Sequence, residues 1–223
     1  MKRWILIVAL AFFAHSAQAA VKGEEVQYKA GNTVLKGYLA WDDAQKGKRP
    51  GVLVVHEWWG HNEYARERAR MLAALGYTAL ALDMYGDGHQ AHHPEEAGKF
   101  CGEVRKNLAL AKQRFDAAQN VLKKHPTVDS KNIAAIGYCF GGAIVLEMAR
   151  QGENLKGVVS FHGSLNTEQP AKAGKVKARM LVLTGEADPF VPAVQVEAFK
   201  KEGPSERDLN DIRRGHGVDD LPT

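Results

Sequence analysis

The chain has 223 residues, 45% of them hydrophobic and 25% charged, with 30 lysines and arginines against 26 aspartates and glutamates. That length and apolar fraction fit one domain with an ordinary core. Interspersed charges of nearly balanced sign argue against a nucleic-acid or membrane-surface protein.

The first residues stand apart from the rest. Lys2 and Arg3 precede an apolar run from Trp4 to Ala14, and small residues then lead to Ala17-Gln18-Ala19. A basic start, a short apolar stretch and an A-x-A site read as a secretory signal peptide over residues 1–19, with an uncleaved anchor as the alternative. The run is too short for a membrane span, which needs about twenty apolar residues. The expected mature chain starts at Ala20 in the periplasm or outside the cell, and without Lys2 and Arg3 its net charge is +2. Its two cysteines, Cys101 and Cys139, then meet an oxidising compartment. Two are too few for a disulfide scaffold, so the core carries the stability.

The mature chain opens with alternation: "VQYKAGNTVLKGYLAW" predicts two strands joined at Gly31-Asn32. Val52 to Val55 form a continuous apolar run of the kind buried on both faces of a sheet. Tyr64, Ala65, Ala69, Leu72 and Leu75 then recur at helical spacing, with Gly76 placed to end that helix. "TALALD" predicts a buried strand running into Asp83 and a loop. From Pro94 to about His125 the spacing predicts one long helix, with Val104, Leu108, Ala111, Phe115, Ala118 and Leu122 on its core face. "NIAAIG" reads as a strand, "GAIVLEMAR" as a helix, "GVVSFHG" and "ARMLVLTG" as strands, and "PAVQVEAFKKE" begins another helix. An entry hairpin followed by alternating strands and helices predicts an α/β fold: a mostly parallel sheet with helices on both faces. Ligands bind such sheets beyond the carboxyl ends of the strands. "HEWWG", Cys139 and Asp188 each follow a predicted strand.

Gly137-Tyr138-Cys139-Phe140-Gly141-Gly142 is a G-x-C-x-G-G turn between a strand and a helix, the setting of a nucleophile elbow. A cysteine there sits at a helix N-terminus, whose dipole favours the thiolate. The alternatives are a buried structural cysteine and a disulfide with Cys101, the second of which would make a thiol-redox protein. A nucleophile in this fold is followed in the chain by an acid and then a histidine. "LTGEADPFVP" supplies Asp188, with Glu186 as its competitor. His216 in "RRGHGVDD" is the single histidine downstream, and so the candidate base by elimination.

With these residues in place, the chain from about Val26 to Glu202 resembles the dienelactone hydrolase family of α/β-hydrolases. "HEWWG", "ALDMYGDG", "GYCFGG" and "GEADPFVP" are similar to that family's blocks and stand in its order. The resemblance implies hydrolysis of an ester or lactone by a Cys-His-Asp triad, with Cys139 as nucleophile and Asp188 as orienting acid. It further implies Glu57 beside the thiol, where a carboxylate controls its ionisation, and an oxyanion hole from the backbone N–H groups of Trp58 and Phe140. It implies no cofactor, no metal and a small-molecule partner, and the protein is expected to be monomeric.

The family's arginines for a substrate carboxylate have no counterpart around Asp87 or after His216, where Gly217, Val218 and Asp219 follow. An uncharged ester or lactone is therefore expected as readily as an anionic dienelactone. From Gly203 the pattern breaks. Residues 203–223 form an atypical polar tail after the hydrolase domain of residues 20–202, with no apolar alternation for a last strand and no stretch for a closing helix. Both are expected to be missing or altered, leaving apolar surface uncovered. A non-catalytic remnant of a hydrolase is the alternative that this tail raises.

"HQAHHPEE" gathers His89, His92, His93, Glu95 and Glu96, types that ligate metals, but a solvated loop is the simpler reading. His56 reads as a hydrogen-bonded structural residue, and His162 as a strand-end residue able to line the pocket.

Overall fold

A computed structural model of the chain describes residues 21–202 in full and residues 209–215 by their backbone. The expected signal segment and His216 lie outside the described residues. Strands β1 (Val21–Ala30), β2 (Thr33–Asp42), β3 (Arg49–Val55), β4 (Thr78–Leu82), β5 (Val128–Tyr138), β6 (Gly157–Phe161), β7 (Arg179–Gly185) and β8 (Leu209–Gly215) form one sheet. Its order is β1-β2-β4-β3-β5-β6-β7-β8. The hairpin β1–β2 forms as expected, because Gly31 adopts φ +59° in its two-residue turn. The pairs β1–β2 and β2–β4 are antiparallel, and all those from β4 to β8 are parallel.

Helix α1 (Glu63–Ala74) starts at Asn62, whose side chain accepts the Ala65 N–H, and stops where Gly76 turns at φ +94°. Its buried face is Ala65, Ala69 and Ala73, small enough to lie close on Ala40, Val52, Val54, Ala79 and Ala81 of the sheet. The opposite face carries the larger core, with Phe115, Leu122, Ile144, Leu146, Met148, Val196 and Phe199 among its members.

Where one long helix is predicted, the structure has two: α2 (Pro94–Arg105) and α3 (Leu108–Lys124). Asn107 causes the break. It leaves helical geometry (φ −125°, ψ 81°) and its side chain accepts the Leu110 N–H at 3.0 Å, capping the second helix. A short polar side chain that bonds its own backbone competes with helix continuation in this way. Helices α4 (Phe140–Arg150) and α5 (Ala193–Glu202) complete the described set.

The expectation of a missing last strand is corrected. β8 pairs in parallel with β7 from Met180↔Leu209 to Gly185↔Gly215. Edge pairing draws on backbone N–H and C=O groups that every non-proline residue carries, so a polar segment can extend the ladder without an apolar pattern. The expected loss or alteration of the closing helix falls on residues outside the described ones. On the α1 face of the sheet Ile136, Tyr138, Val159, Phe161, Leu181 and Leu183 form a half-buried apolar surface. Stacking of Tyr138 on Phe161, with ring centroids 4.8 Å apart, shields part of it.

Candidate active site

β5 delivers Cys139 to the carboxyl edge of the sheet in a left-handed backbone conformation, φ 52° and ψ −112°. A non-glycine residue there is strained and is held only by its surroundings. Three glycines make room for the turn. A β-carbon on Gly137 would lie 2.1 Å from the Gly141 carbonyl oxygen, and one on Gly141 would lie 2.3 Å from the Val55 oxygen. One on Gly142 would stand 2.9 Å from the Cα of Gly163 in the turn after β6. The Cys139 N–H donates to the Phe161 carbonyl at 2.8 Å, tying the elbow to β6. Only glycine tolerates those approaches, so the G-x-C-x-G-G segment closes into a tight strand–turn–helix.

Burial pushes the Cys139 thiol above its ordinary value. The Phe140 N–H at the start of α4 works against that shift, and the Glu57 carboxylate adds to it. Cys139 and Cys101 are both free thiols.

The loop after β3 is set from below. His56 is buried and its pKa is lowered by desolvation. Its Nε2 accepts the Met84 N–H and its Nδ1 bonds the Glu57 carbonyl, the structural role anticipated for it. The Tyr85 hydroxyl donates to the Trp58 carbonyl at 2.7 Å, fixing that peptide. Asp83, at the end of β4, accepts the N–H groups of Tyr85, Gly86, Gly88 and Lys36 and so shapes the adjoining loop. Among the described residues no group of three or more His, Cys, Asp or Glu side chains is arranged to hold a metal.

Asp188 lies in the loop after β7 with its side chain only 4% exposed, and its Oδ2 bonds Nδ1 of His162. Its Oδ1 accepts the Phe190 N–H at 2.9 Å. Glu186 is exposed, and of the two carboxylates it is Asp188 that bonds a histidine among the described residues. The structure thus brings Cys139, Phe140, Trp58, Glu57 and Asp188 to one edge of the sheet. Of His216 it shows only that Gly215, the residue before it, ends β8 opposite Gly185.

A cavity of about 350 Å³ lies over the elbow, lined by Trp58, Cys139, Phe140, His162, Phe190 and Arg105 among others. One of its residues, Arg105, and one bond, made by His162, go beyond the sequence reading. Arg105, from the end of α2, brings a cation to a site where none was expected. His162 was foreseen as a lining residue only, and its bond to Asp188 depends on a parallel register that strand patterns do not reveal.

The strand order, the elbow and the strand-end carboxylate define an α/β-hydrolase. The chain belongs to the dienelactone hydrolase family, whose model matches residues 35–210. Among solved structures it is similar to m3DLH, with 40% identity and a TM-score of 0.81 over 90% of this chain and 82% of the other. It is also similar to a dienelactone hydrolase-like promiscuous phosphotriesterase from metagenomic libraries, with 39% identity and a TM-score of 0.76 over 82% of this chain and 76% of that one. Protein usf of Aquifex pyrophilus is 29% identical over 76% of this chain and 73% of its own length.

Proposed function

We propose that the protein is an exported, cofactor-independent hydrolase of ester or lactone bonds with Cys139 as its nucleophile. The observation that carries this reading is the left-handed Cys139 at a glycine-lined elbow, at the N-terminus of α4 and with an apolar cavity above it. The thiolate attacks the carbonyl carbon and forms a thioester. The N–H groups of Phe140 and Trp58 receive the oxyanion, a contribution of several kcal/mol in such sites. Glu57 keeps the thiol protonated until substrate arrives, and Asp188 orients the imidazole that moves the protons. The small, largely apolar cavity suits an aryl or short alkyl ester, or a lactone. The similarity to a promiscuous phosphotriesterase makes aryl phosphotriesters a second class for the same nucleophile.

The test is aryl-ester turnover by the chain from Ala20, together with intact-mass detection of an acyl adduct. Wild type should turn over and carry the adduct on Cys139, and Cys139→Ala should do neither. Equal turnover by Cys139→Ala would refute the nucleophile.

A further inference from the structure

Among the described residues, the histidine that Asp188 holds is His162. Nδ1 of His162 donates to Asp188 Oδ2, which leaves Nε2 as the free nitrogen, and the ring is about half exposed on the cavity that Cys139 lines. Its position follows from register. Tyr138 pairs with Phe161 in the parallel ladder, so Cys139 and His162 are the next residues out on adjacent strands, and neighbouring strands run about 4.8 Å apart. The two turns interlock: a β-carbon on Gly163 would lie 2.5 Å from the Gly142 carbonyl carbon and 2.6 Å from the Ala143 nitrogen. The turn carrying the imidazole is therefore seated against the helix that begins at the nucleophile. His162 itself is forced into the left-handed region, φ 57°, with its N–H bonded to the Leu183 carbonyl at 2.8 Å. Two adjacent strained non-glycine strand ends facing one cavity have the character of a catalytic pair.

We infer that His162 is the general acid–base residue of the site, and that Cys139, His162 and Asp188 are its working triad. The assignment rests on the hydrolase reading above. His162 Nε2 takes the thiol proton as the Cys139 sulfur bonds the ester carbonyl carbon. When the tetrahedral intermediate collapses, the C–O bond breaks and the leaving alkoxide takes that proton from Nε2. In the second half, Nε2 removes a proton from water as its oxygen attacks the thioester carbon. The C–S bond then breaks, the sulfur recovers the proton, and the acid leaves. No hydrogen bond joins the ring to the sulfur among the described contacts, and bonds of this kind often close only once substrate is bound.

Two variants separate catalysis from scaffolding. His162→Asn keeps a side chain that tolerates positive φ. It should retain the wild-type thermal transition and lose turnover by about a hundredfold to ten-thousandfold. His162→Gly should show the same loss and recover part of its turnover in added imidazole, which a purely structural role would not allow. His125→Gln, altering a histidine at the amino-end side of the sheet beside Val128, should behave as wild type. Turnover by His162→Asn within threefold of wild type, or a loss on His216→Ala that His162→Asn does not share, would overturn the assignment while leaving Cys139 as nucleophile. Absence of any acyl adduct on Cys139 in the wild type would sink the hydrolase reading, and this assignment with it.

Discussion

At the scale of single residues, the chemistry at Cys139 is a contest in which desolvation, Glu57 and Asp188 oppose the Phe140 N–H and the Arg105 guanidinium. Burial raises the thiol's pKa most, the Phe140 N–H opposes it, and Glu57 raises it further. Removing the Glu57 charge should therefore lower the thiol pKa. In a Cys101→Ser background, Glu57→Gln should alkylate faster with iodoacetamide at neutral pH, and its rate–pH curve should move to lower pH. An unmoved curve would mean that Glu57 is electrostatically silent. The cysteine, its flanking glycines and Asp188 were readable from sequence because each belongs to a local pattern. The bond from His162 to Asp188 was not, since its partners are 26 residues apart and meet through strand pairing.

At the scale of elements, the strand–turn–helix from β5 to α4 works because its glycines permit backbone to touch backbone. At Gly141 the obstructing atoms are the Val55 and His56 carbonyl oxygens, 2.3 and 2.6 Å from an added β-carbon. Neither can rotate away as a side chain would. Gly141→Ala should cost about 4 kcal/mol or more, the range reserved for strained or overpacked sites. Urea unfolding would read that cost, and a cost under about 1 kcal/mol would mean that the elbow relaxes easily. Element boundaries show the limits of periodic patterns. Residues from Pro94 to His125 keep helical spacing throughout, yet Asn107 divides them, because a local side-chain cap outcompetes one more turn of helix. β8 is the converse case, a strand whose pairing needs only its backbone.

At the scale of the whole molecule, one buried ionic cluster joins α4, the loop after β6 and α5. Arg150 bonds Glu147 and Glu202 and donates to the Leu165 carbonyl, while Thr167 donates to Glu147. Burial, the largest influence, raises the Glu147 pKa above the ordinary carboxylate value, although Arg150 pulls it down. A raised folded-state value means that the folded chain holds this proton more tightly than the unfolded chain. The stability it contributes is complete below the unfolded value of about 4.3 and is lost as pH rises through the folded value. The difference in urea midpoint between wild type and Glu147→Gln should therefore shift against the wild type as pH rises from that point. A pH-independent difference would show that Arg150 fully offsets the burial.

What the sequence determined by itself is what local chemistry writes into consecutive residues. This includes the hairpin at Gly31, the alternation of buried strands and amphipathic helices, the elbow around Cys139 and the acid at Asp188. Those features depend on turn geometry, side-chain period and the steric freedom of glycine, all of which act within a few residues. Tertiary structure decided the rest: that β8 joins the sheet, that Arg105 reaches the cavity, and that Asp188 holds His162. Each of these is a contact between distant segments, set by sheet register and by which helix packs over which strand end. Such contacts exist only once the core has brought those strands side by side.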